Sequence, residues 1–296
     1  MRGKLNRHAP GGLPVITPRR LIVALAAVLA VAAGAVTVLL VTGSRLGCQE
    51  AFLPAYFYPG AGWAQAITSK PPPSVMILDV TSSGAGSSPD RNYQAAVTRA
   101  QGAGITIMGY SSTDYTKRPA AAVEADVSHY RSWYHVTDIF LDEAASDRGG
   151  AAYYQRLAIY VHGVNPGSKV MLNPGTYPDQ RYMSIGDIIM VYENTYASYV
   201  RLRVPGWARN YPAAKFASAI YATSRSELAG AISLSQQRNA GYIYVTGNSG
   251  ANPYSSLPAY WPAENAIIAS CARVAASSAG GSGPGGAGAG ARAGAG

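Results

Sequence analysis

Along the chain, short apolar runs recur at intervals between more polar stretches. They are Leu53–Tyr58, Val75–Val80, Ile105–Gly109, Asp138–Leu141, Val170–Leu172, Ile188–Tyr192, Phe216–Tyr221 and Tyr242–Val245. Most are continuous rather than alternating, which is the mark of strands covered on both faces. Between several of them the apolar positions take a helical period. Over Pro89–Gln101, Tyr93, Ala96, Val97 and Ala100 share one face, with Ser88 as the expected cap and Gly102 as the stop. Ser224-Arg225-Ser226-Glu227 reads as a capping box opening a helix over Arg225–Asn239, and Ala121–Tyr134 and Ala151–His162 are further helices. Eight strands alternating with helices imply an all-parallel α/β sheet, and the length suits a small (β/α)8 TIM-type barrel. A doubly wound open sheet is the competing arrangement. Its dinucleotide loop finds only a weak mimic in Gly84-Ala85-Gly86, because Pro89 stands at the third glycine position and no acid follows about 20 residues on.

One apolar run is different in kind. Leu21–Thr42 is uncharged, preceded by Arg19 and Arg20, and as a helix would reach roughly 33 Å, enough to cross a bilayer. The cations on its N-terminal side put residues 1–20 in the cytoplasm and everything after the span outside. Its length favours an uncleaved single-pass anchor over a signal peptide, whose apolar core is shorter. Val41-Thr42-Gly43 nevertheless offers small residues for cleavage, with secretion as the consequence. A linker over 43–50, a barrel over 51–271 and a disordered Gly/Ala-rich tail over 272–296 complete the expected organisation.

Charge changes the picture only once it is divided along the chain. The sequence carries 24 Lys+Arg against 15 Asp+Glu, a net charge of +9 over 296 residues. The excess sits in the two ends, and the middle is close to neutral, so a nucleic-acid partner is not expected. The two cysteines, Cys48 and Cys271, bracket the folded region. They match no four-ligand zinc pattern, and export makes a disulfide between them the natural reading.

In parallel barrels chemistry gathers at the carboxyl ends of the strands. Those ends supply Tyr56 and Tyr58, Asp79, Tyr110 with Asp114 and Tyr115, Asp142-Glu143, Asn173, Tyr192-Glu193-Asn194, and Thr246 with Asn248. Strands four and six are next-but-one neighbours, so inward acids from their ends could place carboxyl groups about 5–9 Å apart. That is the range over which paired carboxylates cleave glycosidic bonds. On motif alone, Asp142 reads equally as a helix cap and Glu193 as a solvated loop acid. The four histidines fall outside the strand ends, no Gly-x-Ser-x-Gly elbow occurs, and neither metal nor cofactor is expected. With 21 Tyr against 4 Phe, the chain favours aromatic faces that also carry a hydroxyl, as a sugar-lined groove needs.

Several segments together resemble the spherulin-4 family, which includes glycoside hydrolase family 135. They are Tyr56-Phe57-Tyr58-Pro59, Gly109-Tyr110 with Thr113, Tyr115 and Arg118, Val123–Tyr134, and Ile139-Phe140-Leu141-Asp142-Glu143. Further on come Leu172-Asn173-Pro174-Gly175, Asp187–Glu193, and Thr246 through Asn252-Pro253-Tyr254 to Trp261. The resemblance spans roughly residues 50–265. It implies a (β/α)8 hydrolase acting on exopolysaccharide containing N-acetylgalactosamine or galactosamine. It carries the family's acidic positions onto Asp142, Glu143 and Glu193, with Asp142 as nucleophile or stabilising carboxylate, Glu193 as general acid/base, and Glu143 holding substrate or tuning its neighbours. A non-catalytic carbohydrate-binding barrel at the cell surface is the alternative.

Overall fold

The computed structural model describes residues 48–280, with side chains to Cys271. The span at Leu21–Thr42 and the basic residues before it lie outside the described residues. Among those described, no helix is long and apolar enough to cross a membrane.

Eight parallel strands close on themselves in sequence order. They are β1 (Glu50–Ala55), β2 (Val75–Leu78), β3 (Thr106–Ser112), β4 (Asp138–Asp142), β5 (Val170–Leu172), β6 (Ile188–Thr195), β7 (Phe216–Tyr221) and β8 (Tyr242–Val245). Closure is made by β8 beside β1, with Glu50 opposite Tyr242 and Ala51 opposite Ile243. The wrapping helices are α1 (Ala61–Thr68), α2 (Arg91–Gly102), α3 (Ala120–Tyr134), α4 (Ala151–Val164), a single turn α5 (Tyr196–Tyr199), α6 (Leu228–Gln237) and α7 (Trp261–Gly280). After β5 a five-residue 3-10 turn, Gln180–Ser184, stands where a helix would be. This is the (β/α)8 barrel expected from the continuous apolar runs, and the open doubly wound sheet is excluded by the β8–β1 pairing. The strands bury on both faces: every residue of β2, β5 and β8 is buried.

Two strand boundaries and one pairing irregularity differ from the sequence reading in ways that bear on the site. The first strand runs Glu50–Ala55, so Tyr56 and Tyr58 lie beyond its end on the following loop. Strand β6 continues to Thr195, which puts Glu193 and Asn194 on the strand itself. Its pairing with β7 jumps from Met190–Ala217 to Tyr192–Ser218, leaving Val191 unmatched. This bulge re-aims the side chains that follow it. Tyr192 packs outward on Tyr199, with ring centroids 4.5 Å apart, and Glu193 turns into the barrel mouth.

Caps also moved. Helix α2 is capped by Asp90 rather than Ser88, because one Asp90 oxygen accepts the amides of both Asn92 and Tyr93, at 2.7 and 3.3 Å. In the Ser224–Glu227 box, the Ser224 amide and hydroxyl donate to the Glu227 carboxylate, but the box forms a turn and the helix starts at Leu228. The last helix continues to Gly280, into a stretch expected to be disordered. Alanine, the strongest helix former, recurs through that stretch.

Helix α7 ties the two ends of the barrel together. Fully buried Glu264 accepts the amide of Val245 at 2.7 Å, holding the end of β8. About two turns further on, Cys271 is bonded to Cys48, two residues ahead of β1, with Cα atoms 5.5 Å apart. The bridge closes a loop of 223 residues. In the chain-entropy account a loop of that size restricts the unfolded chain by on the order of 5 kcal/mol. Reduction, or the double change Cys48→Ala/Cys271→Ala, is expected to lower the unfolding free energy by about 3–5 kcal/mol in a denaturant titration. Unchanged stability would mean the bridge does not constrain the unfolded chain.

Candidate active site

The chemistry is concentrated where β3, β4, β5 and β6 end. On β4, Phe140 and Asp142 share a face with Tyr110 of β3. The Tyr110 ring lies 5.9 Å from that of Phe140, and its hydroxyl donates to Asp142 at 2.8 Å. The backbone of Gly109 passes so close to the Tyr130 ring that a Cβ there would strike it at 2.5–2.9 Å. Tyr130 uses that room to donate to the Tyr110 carbonyl at 2.7 Å, which fixes the strand end from below.

At the centre is Asn173, immediately after β5. Its side-chain nitrogen donates to Asp142 at 2.6 Å and to Glu193 at 2.5 Å. Two oxygens so close to one nitrogen can be no more than about 5 Å apart. The Asn173 carbonyl oxygen is itself held by the Gly175 amide at 3.0 Å, so the amide can present only its nitrogen to the two acids. Burial is the largest influence on both carboxyls and raises both pKa values. At Asp142 the hydrogen bonds from Tyr110, Asn173 and the Glu143 amide oppose that rise and the Glu143 charge adds to it, while at Glu193 the Asp142 charge adds to it and hydrogen bonds from Asn173 and the Tyr254 hydroxyl oppose it. With three hydrogen bonds against two, and with the Asp142 charge acting on Glu193, Asp142 is the better supported anion and Glu193 the better proton holder.

The pair separates two recesses. One, of about 400 Å³, is walled by Tyr56, Asp79, Tyr110, Tyr221 and the segment Gly250–Tyr254. Tyr56 stands edge-on to both Tyr110 and Tyr254, with centroids 5.4 Å away in each case. The other, of about 300 Å³, is formed by Tyr115, Glu143, Asn173, Pro174 and Gly175. Both recesses include Asp142 and Glu193, and neither is lined by Lys, Arg or His. Glu143 accepts the Ser112 hydroxyl at 2.5 Å. Tyr115 is 55% exposed and reaches its recess from an unusual turn. Asp114, Tyr115 and Thr116 have φ of 42°, 51° and 79°, three successive non-glycine residues in the left-handed region. Each such residue costs roughly 1–2 kcal/mol. The turn is pinned by the Tyr115 amide on the Glu143 carbonyl at 2.8 Å and by Arg118, which pairs with Asp126 at 2.7 Å. Gly84 is what lets the Asp126 carboxylate lie against the backbone, since a Cβ there would collide with it. The Gly84-Ala85-Gly86 turn thus seats an internal carboxylate, with the Ala85 amide donating to Asp126 at 3.2 Å.

Of the side chains expected at the site, Asp142, Glu143, Glu193, Tyr56, Asp79, Tyr110, Tyr115 and Asn173 do line the two recesses. Four others do not. Tyr58 lies in a separate depression. Tyr192 faces α5, its hydroxyl donating to the Thr195 carbonyl at 2.7 Å. Thr246 is buried and accepts the Asn248 amide at 3.1 Å, while Asn248 donates to Ser256. Both therefore shape the loop after β8 rather than the recess. Asn194 is exposed and one step removed, accepting the Tyr221 hydroxyl at 3.2 Å. Two aromatic lining residues were not expected at the site. Tyr221 ends the seventh apolar run, so its place at a strand end was the available signal. Tyr254 returns from a loop nine residues beyond β8, which no periodicity marks. It is buried with its hydroxyl toward Glu193, and burial together with the charge of that acid and a hydrogen bond to it holds the phenol well above its ordinary pKa.

Asp79 is a liability to the fold as well as part of the wall. One of its oxygens is buried without a partner, and burial, reinforced by the charge of Asp142, pushes its pKa up to about 6. A raised folded-state pKa favours the folded protein below the ordinary carboxylate range, and that contribution is lost as pH rises through about 6. Asp79→Asn is accordingly expected to be more stable than the parent above pH 6, by about 1–2 kcal/mol once partial exposure is discounted, with the difference vanishing near pH 4. Thermal melts across that pH range check it. A destabilised variant at pH 7.5 would contradict it.

Comparison with known proteins agrees with this barrel. Residues 50–268 match the family described as Spherulation-specific family 4. Spherulin-4 of Physarum polycephalum is 31% identical over 228 residues, which cover 73% of this chain and 69% of that protein. The crystal structure of Aspergillus clavatus Sph3 in complex with GalNAc is similar in fold, with a TM-score of 0.66 at 23% identity, covering 76% of this chain and 99% of Sph3. The disposition of Asp142, Asn173 and Glu193 thus sits within a matched region that takes in all eight strands, and the chain belongs to the spherulin-4 family, Spherulation-specific family 4.

Proposed function

We propose that this protein is a cell-surface glycoside hydrolase that cleaves amino-sugar polysaccharide with Asp142 and Glu193, retaining the anomeric configuration. The observation that carries this reading is the shared Asn173 nitrogen, which keeps two half-buried carboxyl groups within about 5 Å of each other between two open recesses. Asp142, held anionic by three hydrogen bonds, attacks the anomeric carbon from one side as the glycosidic bond breaks. Glu193, protonated by burial and by its neighbour's charge, gives its proton to the departing oxygen. Water then enters, Glu193 takes a proton from it, and the bond to Asp142 is broken by the resulting hydroxyl. An oxocarbenium-like transition state is favoured by a hollow that gathers Asp79, Asp142, Glu143 and Glu193 without a lining cation.

The amino-sugar class is supported by that acidity, which suits polymers bearing free ammonium groups, and by the GalNAc bound to the structurally similar Sph3. The cell-surface placement is supported by the uncharged run Leu21–Thr42 after Arg19-Arg20, and by a disulfide, which persists in oxidising compartments.

The full chain, incubated with N-acetylgalactosamine polymer and its partly deacetylated form, is expected to release oligosaccharides detectable by mass spectrometry. Asp142→Asn and Glu193→Gln should each lower kcat by 10²–10⁴-fold or more. Because both pKa values are raised, the pH profile of kcat/KM should be a bell displaced above the ordinary carboxylate range. Its acid limb follows ionisation of Asp142 and its alkaline limb follows loss of the Glu193 proton. Turnover by either variant at the parental rate, or sugar binding without any turnover by the parent, would overturn the reading.

A further inference from the structure

Tyr58 is the one expected substrate residue that is both prominent and displaced from the carboxylate pair. Its ring is 55% exposed, unusual for so large an aromatic side chain, yet it is not free to move. Its hydroxyl donates to Asp90 at 2.9 Å and accepts from the Asn92 side chain at 2.7 Å. Its edge is set by the Tyr93 ring, 5.2 Å away and nearly perpendicular. Tyr93 in turn is fixed by Trp63, at 6.3 Å, and by its own hydroxyl on the Asp79 carbonyl at 2.9 Å. An aromatic face that is exposed and rigid loses little conformational freedom when something is laid on it.

Beside that face is a depression of about 290 Å³, whose wall includes Thr81, Ser87, Ser88 and Pro89. Ser87 and Ser88 are exposed and present hydroxyls along its edge. The depression is separated from the larger recess of the active site only by the segment after β2. Asp79 and Ser82 of that segment face the recess, while Val80 and Thr81 face the depression. The two hollows thus share the Asp79–Ser82 segment as a common wall.

We propose that the Tyr58 depression is a distal subsite that binds one pyranose unit of the same polysaccharide chain that is cut between Asp142 and Glu193. The apolar face of the sugar ring lies on Tyr58, and Ser87 and Ser88 meet its hydroxyls. This rests on the proposed hydrolase reading for the identity of the chain, and on the geometry around Tyr58 for the site. Tyr58 touches only a remote unit, so it contributes to binding of long chains and leaves the chemical step alone.

The test uses galactosamine–N-acetylgalactosamine oligosaccharides sorted by length. For long chains Tyr58→Ala is expected to raise KM about three- to tenfold at constant kcat, while two- or three-unit substrates show no change. Tyr58→Trp, which keeps an aromatic face, should restore long-chain KM. Calorimetric binding of the same oligosaccharides to Glu193→Gln, with and without Tyr58→Ala, separates the two claims. A parent that hydrolyses nothing, with long-chain binding still weakened by Tyr58→Ala, would remove the hydrolase reading and keep the subsite. Normal hydrolysis with no length-dependent effect of Tyr58→Ala in KM or in binding would overturn the subsite, as would an equal loss on short and long chains.

Discussion

The arrangement turns on one side-chain amide. Two carboxyl groups brought together in a buried place repel when both are ionised, and each pays for leaving water. Asn173 answers both costs with a single nitrogen, donating to Asp142 and Glu193 at once. Its orientation is enforced by the Gly175 amide on its carbonyl, and its position by the short strand β5, which lies between the two strands that supply the acids. A closed barrel is what makes this possible. The ends of β4, β5 and β6 are held in register by pairing on both sides, so three residues far apart in the chain meet with ångström accuracy.

The surrounding residues divide the labour asymmetrically. Tyr110 and the Glu143 amide support the anion on Asp142, whereas Glu193 has the repulsion of that anion, offset in part by Asn173 and the Tyr254 hydroxyl. That difference gives two chemically similar side chains different protonation states, as acid and nucleophile require. Stability is given up around them. Half-buried Asp79 has one buried oxygen left unsatisfied, and three successive residues of the Tyr115 turn are left-handed without glycine. Such local departures are tolerated where the rest of the structure over-determines them, here by the Arg118–Asp126 pair and the bridge that ties Cys48 to Cys271.

Much of this was legible in the chain because the signals were local. Continuous apolar runs such as Val170–Leu172 and Tyr242–Val245 mark strands buried on both faces, and their number and spacing imply closure. Asp142 and Glu193 stand directly at or near the ends of such runs. What was not legible depends on contacts between distant segments. The bulge at Val191, which turns Glu193 inward and Tyr192 outward, is set by the pairing with β7. Tyr254 reaches the site through a loop without period. Asp90 displaces Ser88 as a cap because its carboxylate satisfies two amides. Tyr58 shows the limit of reading strand ends as site residues, since a strand that ends three residues earlier moves it out of the pocket.

The central claim, that Asp142 and Glu193 act as nucleophile and acid/base across a gap of about 5 Å, has a stereochemical consequence. Proton NMR of the first product formed, recorded before mutarotation, reads it directly. The account predicts that the newly released reducing end carries the same anomeric configuration as the bond that was cut. A product of inverted configuration would mean that a water, rather than Asp142, attacks the sugar, and would contradict it.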